Sequence, residues 1–126
     1  MNLNQITIPS NDVAKAVAFY QTLGLRLIVD GIPRYARLLC PDGESTFSVH
    51  HSEQKIQADN GIWVYFECKD LDQRCRELKS LGVTFLEAPE DRTWLWREAR
   101  LKDPDGHLII LFYAGENRIN PPWRVN

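Results

Sequence analysis

The chain lacks any apolar run of the ~18 residues that a membrane-spanning helix requires, and no apolar core of a secretion signal follows Met1. It also lacks an excess of either charge: 15 Lys and Arg stand against 17 Asp and Glu, so neither nucleic acid nor an anionic membrane is an expected partner. Cysteine is sparse. Cys40, Cys68 and Cys75 are odd in number and form no CxxC pair, which excludes a disulfide framework or a zinc ribbon. They read as reduced thiols of a cytoplasmic protein. There is no glycine-rich phosphate loop, no serine–histidine–aspartate order and no zinc-type spacing. What remains is an ordinary globular composition in 126 residues, the size of one domain with a real core.

Within that length the chain repeats itself. Asp12-Val13 through Leu23-Gly24 recurs 58 positions later as Asp70-Leu71 through Leu81-Gly82. Arg34 to Gly43 (RYARLLCPDG) recurs 63 positions later as Arg97 to Gly106 (REARLKDPDG). The difference between the offsets places one insertion in the second copy, where Ala88 to Trp94 reads as a loop. We therefore expect one domain over 1–126, with repeats at about 1–56 and 60–114 and a C-terminal arm from 115.

Each copy shows the same elements. Residues 3–8 and 62–68 alternate as strands. Asp12 and Asp70 stand at N-cap positions, where a carboxylate accepts the free first-turn N–H groups. Val13, Val17, Tyr20 and Leu23, then Leu71, Cys75, Leu78 and Leu81, step at helical spacing, and Gly24 and Gly82 end the helices. Short strands follow at Leu25 to Val29 and Thr84 to Leu86. Hairpins then turn at Pro-Asp-Gly, with arms 34–40 and 45–51, and 97–102 and 108–113. The fold class is α+β: two tandem βαβββ units whose curved mixed sheets surround a concave cleft, with the helices outside. Alternation turns Ile6, Ile8, Val64, Phe66 and Cys68 toward the helices. Gln5, Thr7, Trp63, Tyr65 and Glu67 take the other face.

Ile6-Thr7-Ile8 with Asp12, Ala18-Phe19-Tyr20 with Leu23-Gly24-Leu25, Val64-Tyr65-Phe66-Glu67 with Asp70-Leu71, and Asp103-Pro104-Asp105-Gly106-His107-Leu108-Ile109 together span residues 3–114. This pattern resembles the vicinal oxygen chelate superfamily, which includes glyoxalase I, fosfomycin-resistance proteins, extradiol dioxygenases and bleomycin-resistance proteins. The resemblance implies four metal-ligand positions: His or Gln on the first strand of each unit, and Glu, less often His or Tyr, on the last. Here they fall on Gln5 and Trp63, and on Phe47 and Ile110; a one-residue slip in the first unit's last strand puts Ser48 or His50 in place of Phe47. Trp, Ile and Phe cannot ligate a divalent ion, so neither a metal nor a cofactor is expected.

The binding residues are then expected to be Gln5, Thr7, Phe47, Trp63, Tyr65, Glu67 and Ile110, enclosing a small organic molecule in an aromatic-lined cleft. Trp94 and Trp96, in the expansion of the second copy, need something to pack on: the cleft mouth, a second subunit or the chain's own tail. Trp96 joins the binding set, and a lid over the cleft is one role open to it. Adjacent His50 and His51 point to opposite faces at an exposed strand end, and His107 reads as solvated in its turn. Pro121-Pro122 makes the tail an extended arm, with Arg118 and Trp123 as anchors. The resemblance implies a homodimer. Two other function classes stay open: a metal-dependent lyase or dioxygenase, or a cofactor-free enzyme pairing Glu67 with a histidine, and an interaction module without a ligand.

Overall fold

The computed structural model describes residues 1–125 and contains two compact units. The first comprises Met1–Asn60 with Asp103–Gly106, and the second Gly61–Lys102 with His107–Asn126. In the first, β1 (Gln5–Ser10) leads to α1 (Val13–Thr22), then β2 (Arg26–Gly31), β3 (Tyr35–Leu39) and β4 (Thr46–His51). The second repeats the order with β5 (Trp63–Glu67), α2 (Leu71–Ser80), β6 (Glu87–Asp91), β7 (Arg97–Lys102) and β8 (Leu108–Tyr113). The sheets have equivalent strand orders, β1-β4-β3-β2 and β5-β8-β7-β6. In each, the first strand pairs in parallel with the last, and the other pairings are antiparallel. The α+β class and the duplicated βαβββ order are as the sequence implied. No helix among the described residues is long and apolar enough to cross a membrane.

The helices bury the stripes their spacing predicted. Val13, Val17 and Tyr20 are buried on α1, and Leu71, Cys75 and Leu78 on α2. Asp12 caps α1 by accepting the Lys15 N–H at 3.1 Å. Asp70 does not cap α2: its backbone, at φ −104° and ψ 59°, departs from the extended geometry of Asp12, and no first-turn N–H reaches its carboxylate. Both helices end as expected, with Gly24 and Gly82 in the left-handed region at φ 107° and 94°. Leu81, placed on the apolar stripe by spacing, is the C-cap of α2 and is exposed, whereas the equivalent Leu23 of α1 is buried.

Three expectations are corrected. The short strand expected over 84–86 lies at Glu87–Asp91, inside the segment that reads as a loop. Pro89 is tolerated there because β6 is an edge strand paired only with β7, through a register shift between Glu87 and Glu90. The insertion instead forms the turn from Arg92 to Trp96. His107 is fully buried, not solvated. The turn before it does not project into solvent: Tyr20 donates to Asp103 Oδ2 at 2.6 Å and the Asn11 N–H donates to Asp105 Oδ1 at 2.8 Å. The arm is not extended from its start. Gly115–Arg118 form a 3-10 turn, which precedes Pro121 and so escapes its restriction.

Burial pushes the Cys75 thiol up to about 11, and Cys40 is raised as well, first by burial and then by Asp42. Both remain protonated, and Cys40, Cys68 and Cys75 form no disulfide among the described residues.

Candidate functional site

Each sheet packs one face on its helix and leaves the other without one. In the first unit, Phe47 of β4 meets Tyr20 of α1 with ring centroids 4.4 Å apart, so Ile8, Phe47 and Val49 belong to the helix side. The register sets Gln5 beside Thr46, Thr7 beside Ser48 and Arg37 beside Ser48 on the opposite face.

These side chains form one hydrogen-bonded cluster. The Thr46 hydroxyl donates to Gln5 Oε1, which fixes the amide so that Nε2 donates to Ser48 Oγ at 2.8 Å and to Thr7 Oγ1 at 3.2 Å. Ser48 Oγ lies 2.6 Å from Tyr35 Oη. Ser48 is fully buried, and a buried hydroxyl keeps its hydrogen bonded. With Gln5 already filling an acceptor position, the Ser48 hydrogen goes to Tyr35. Arg37 Nε donates to the same phenol oxygen at 3.0 Å, with its guanidinium 5.7 Å from the Tyr35 ring centre. Two donors on one oxygen favour the phenolate. The Ser48 hydrogen bond is the largest cause holding the Tyr35 pKa below the usual phenol value, and Arg37 adds to it against a smaller burial effect.

The corresponding face of the second unit is aromatic. Trp63 pairs with Leu108 and Tyr65 with Ile110 across β5 and β8. Tyr65 meets Phe112 and Trp96 edge-on at 5.5 and 5.9 Å, and Trp96 stacks on Phe112 at 4.7 Å and 19°. Ile110, Phe112 and Ala114 form a buried cluster, with Trp96 and Leu108 packed against it. Burial raises the Tyr65 pKa, and Glu98 adds to it.

Beside the rings lies an ion cluster. Glu98 is buried, accepts Trp94 Nε1 at 2.7 Å, and has Arg100 Nη2 at 3.5 Å and Arg92 Nε at 3.7 Å. Arg92 also pairs with Glu87. The Arg100 guanidinium sits 5.9 Å from the Trp63 ring centre, and that indole is 56% exposed.

The structure sorts the expected binding residues. Gln5, Thr7, Trp63, Tyr65, Ile110 and Trp96 lie on the helix-free faces of their own units, Gln5 and Thr7 in the first and the others in the second. Phe47 does not: it is core against α1. Glu67 is on the right face but already engaged, since its Oε2 accepts the N–H groups of Ala114 and Gly115 at 2.8 and 3.1 Å and its Oε1 lies 3.8 Å from Arg118. Arg118 is thus an anchor of the tail, whereas Trp123 is exposed. Trp96 packs on Phe112 and Tyr65 and donates its indole N–H to Asn117 O at 3.3 Å. His50 and His51 are exposed at the end of β4. A groove of about 710 Å³ on the helix side of the second unit, lined by Asp72, Cys75, Arg76, Lys79 and Arg97 among others, contains none of the expected residues.

The error at Phe47 has one cause. β4 begins three residues after Gly43, but β8 begins two after Gly106. The second hairpin turn is one residue shorter, and a one-residue slip exchanges the faces of a strand. The partner of Thr7 is Ser48 and that of Tyr65 is Ile110, so Ser48, not Phe47, is the equivalent of Ile110. Comparing strand starts with the turn motif reveals the slip. Nothing local marks Tyr35, Arg37, Phe112 or Arg100 as face residues.

The four family ligand positions are therefore Gln5 and Ser48 in the first unit, Trp63 and Ile110 in the second. Trp and Ile offer no donor to a divalent ion, and the Gln5 amide oxygen is taken by Thr46. This donor set does not fit a metal. Among the described residues no group of three or more His, Cys, Asp or Glu could hold one.

Comparison with known proteins agrees with this architecture. The sequence model of the Glyoxalase/Bleomycin resistance protein/Dioxygenase superfamily matches residues 2–111. No curated protein matches the chain. Among solved structures, a glyoxalase/bleomycin resistance protein/dioxygenase from Nocardioides is similar at TM-score 0.76 and 20% identity, covering 100% of this chain and 90% of that one. A lactoylglutathione lyase from Agrobacterium tumefaciens is similar at 0.73 and 15%, covering 89% and 92%. A bleomycin-binding protein complexed with bleomycin is similar at 0.72 and 23%, covering 90% and 98%. At these identities the likeness to solved structures concerns the fold.

Proposed function

The chain belongs to the Glyoxalase/Bleomycin resistance protein/Dioxygenase superfamily, and on that premise we propose that it is a metal-free binding protein for a small organic molecule. The ligand lies on the aromatic face of the second sheet. The observation that carries the reading is the state of Trp63 and Tyr65. They are 56% and 39% exposed on a face with no helix over it, although rings of this size favour burial. Beside them on the same face Ile110, Phe112 and Trp96 pack together, so a planar ligand meets a firm surface and loses little free energy to ordering it. Arg100, held by Glu98 beside Trp63, supplies a polar edge for orientation. The bleomycin-binding relative supports the reading, as does Trp63, which occupies a family ligand position with a side chain that suits stacking rather than coordination.

The test is a fluorescence screen of small aromatic acids, amines and neutral rings against the intact protein, followed by Trp63→Ala. Stacking contributes about 0.5–1.5 kcal/mol beyond area, so the variant should bind about 2- to 10-fold more weakly. Because more than half of the indole is exposed, stability should fall by well under the roughly 3–5 kcal/mol of a core Trp. A variant that unfolds like a core deletion, with no compound bound by the parent, sinks the proposal.

A further inference from the structure

We propose that the helix-free face of the first sheet is an oxyanion site, with Arg37 and Tyr35 as the donors that grip a carboxylate or phosphoryl group of a small molecule. The inference stands apart from the aromatic reading, since it concerns other residues on the other unit.

The charge pattern comes first. Register places Arg26, beside Leu39, and Arg37, beside Val29, on this face with Gln5, Thr7 and Ser48. The only carboxylate in the four strands, Asp30, pairs with Ala36 and so falls on the opposite face, where it accepts the Ile32 N–H at 3.2 Å. The face therefore carries positive charge with no acidic side chain of its own sheet to neutralise it. Arg37 has no ion pair among the described residues. The second sheet differs: there Arg92 and Arg100 are paired with Glu87 and Glu98.

The second argument is the direction of the hydrogen bonds. Thr46 orients Gln5, Gln5 donates to Ser48, and Ser48 must then donate to Tyr35. Arg37 Nε donates to Tyr35 as well. Tyr35 Oη thus accepts two hydrogen bonds inside the protein and its own hydrogen has no acceptor among the described residues, so that hydrogen is directed to the open side. The guanidinium beside it has spent only Nε on the protein and is held against the Tyr35 ring, leaving both Nη groups to donate. A phenol hydrogen and a fixed guanidinium edge side by side match the two oxygens of a carboxylate or phosphoryl group. Because Ser48 and Gln5 hold Tyr35, and Tyr35 holds Arg37, the donors are arranged before the anion arrives.

The experiment is an NMR titration of the intact protein with sodium acetate and, separately, with inorganic phosphate, at constant ionic strength set by chloride. The Tyr35 ring and Arg37 Nε–Hε signals should shift saturably in at least one arm, with a dissociation constant on the order of 1–10 mM. The arm that saturates identifies the oxyanion class. Arg37→Gln should weaken binding at least ~10-fold and Tyr35→Phe about 3- to 10-fold, while Arg76→Gln on α2 should change nothing. Both changed residues lie at a sheet surface, and unchanged amide spectra elsewhere confirm folding. No saturable shift in either arm, or an Arg37→Gln variant that binds within a factor of about two of the parent, overturns the proposal. The probes carry no ring, so failure here leaves the aromatic reading standing, and failure of that reading leaves this one intact.

Discussion

Replacing Tyr20 by Phe removes one oxygen from a fully buried side chain and almost nothing else. The ring keeps its contact with Phe47 at 4.4 Å and its edge contact with Phe19 at 5.1 Å, so apolar packing is preserved. What is lost is the 2.6 Å bond to Asp103 Oδ2, made where both residues are buried. Burial is the largest cause raising the Tyr20 pKa, followed by the charge of Asp103 and the hydrogen bond to it. The phenol is therefore protonated across the physiological range and acts as donor. A hydrogen bond to a charged group contributes about 1.5–3 kcal/mol, and the variant removes it while the Asp105 N–H stays on the other Asp103 oxygen. Urea unfolding should show that loss. The thermal midpoint of a chain this size should drop by roughly 5–15 °C. Asp103→Asn, which retains an acceptor for Tyr20, should cost less. If Tyr20→Phe changes stability by less than about 0.5 kcal/mol, Asp103 is solvated and the turn from Asp103 to Gly106 is not tethered as described.

Two further predictions concern titration and capping. The tyrosines should ionise in order, Tyr35 below the ordinary phenol range and Tyr65 and Tyr20 above it. Ser48→Ala should move Tyr35 back upward, because it removes the largest cause of the lowering; carbon-13 NMR of labelled tyrosine rings reads both, and Tyr35 titrating after Tyr65 refutes the cluster. Asp12→Ala should cost about 0.5–2 kcal/mol in urea unfolding, since it deletes a formed cap. Asp70→Ala should stay within about 0.5 kcal/mol, and equal losses in the two variants would falsify the contrast between the helix starts.

The helices, the duplicated order and the turns are legible in the sequence, because those depend on steric rules acting within a few residues. Val13, Val17 and Tyr20 step at one helical period, Gly24 and Gly82 take the left-handed conformation, and Pro-Asp-Gly closes both hairpins wherever it stands. The faces of β1 and β5 are legible too, since alternation within one strand needs no partner. The face of Phe47 is set by strand pairing, because strand parity depends on turn length and one missing residue after Gly106 reverses it. β6 formed where Pro89 argued for a loop, because β7 offered an edge to pair with. Glu67 went to the tail, His107 to the interior, and Tyr35 with Arg37 onto Ser48 for the same reason. Glu67 is fixed by Ala114 and Gly115, far along the chain, and Tyr35 by Ser48 across a strand pair. The energy of such contacts appears only once the backbone has brought the partners together, so no local pattern records them.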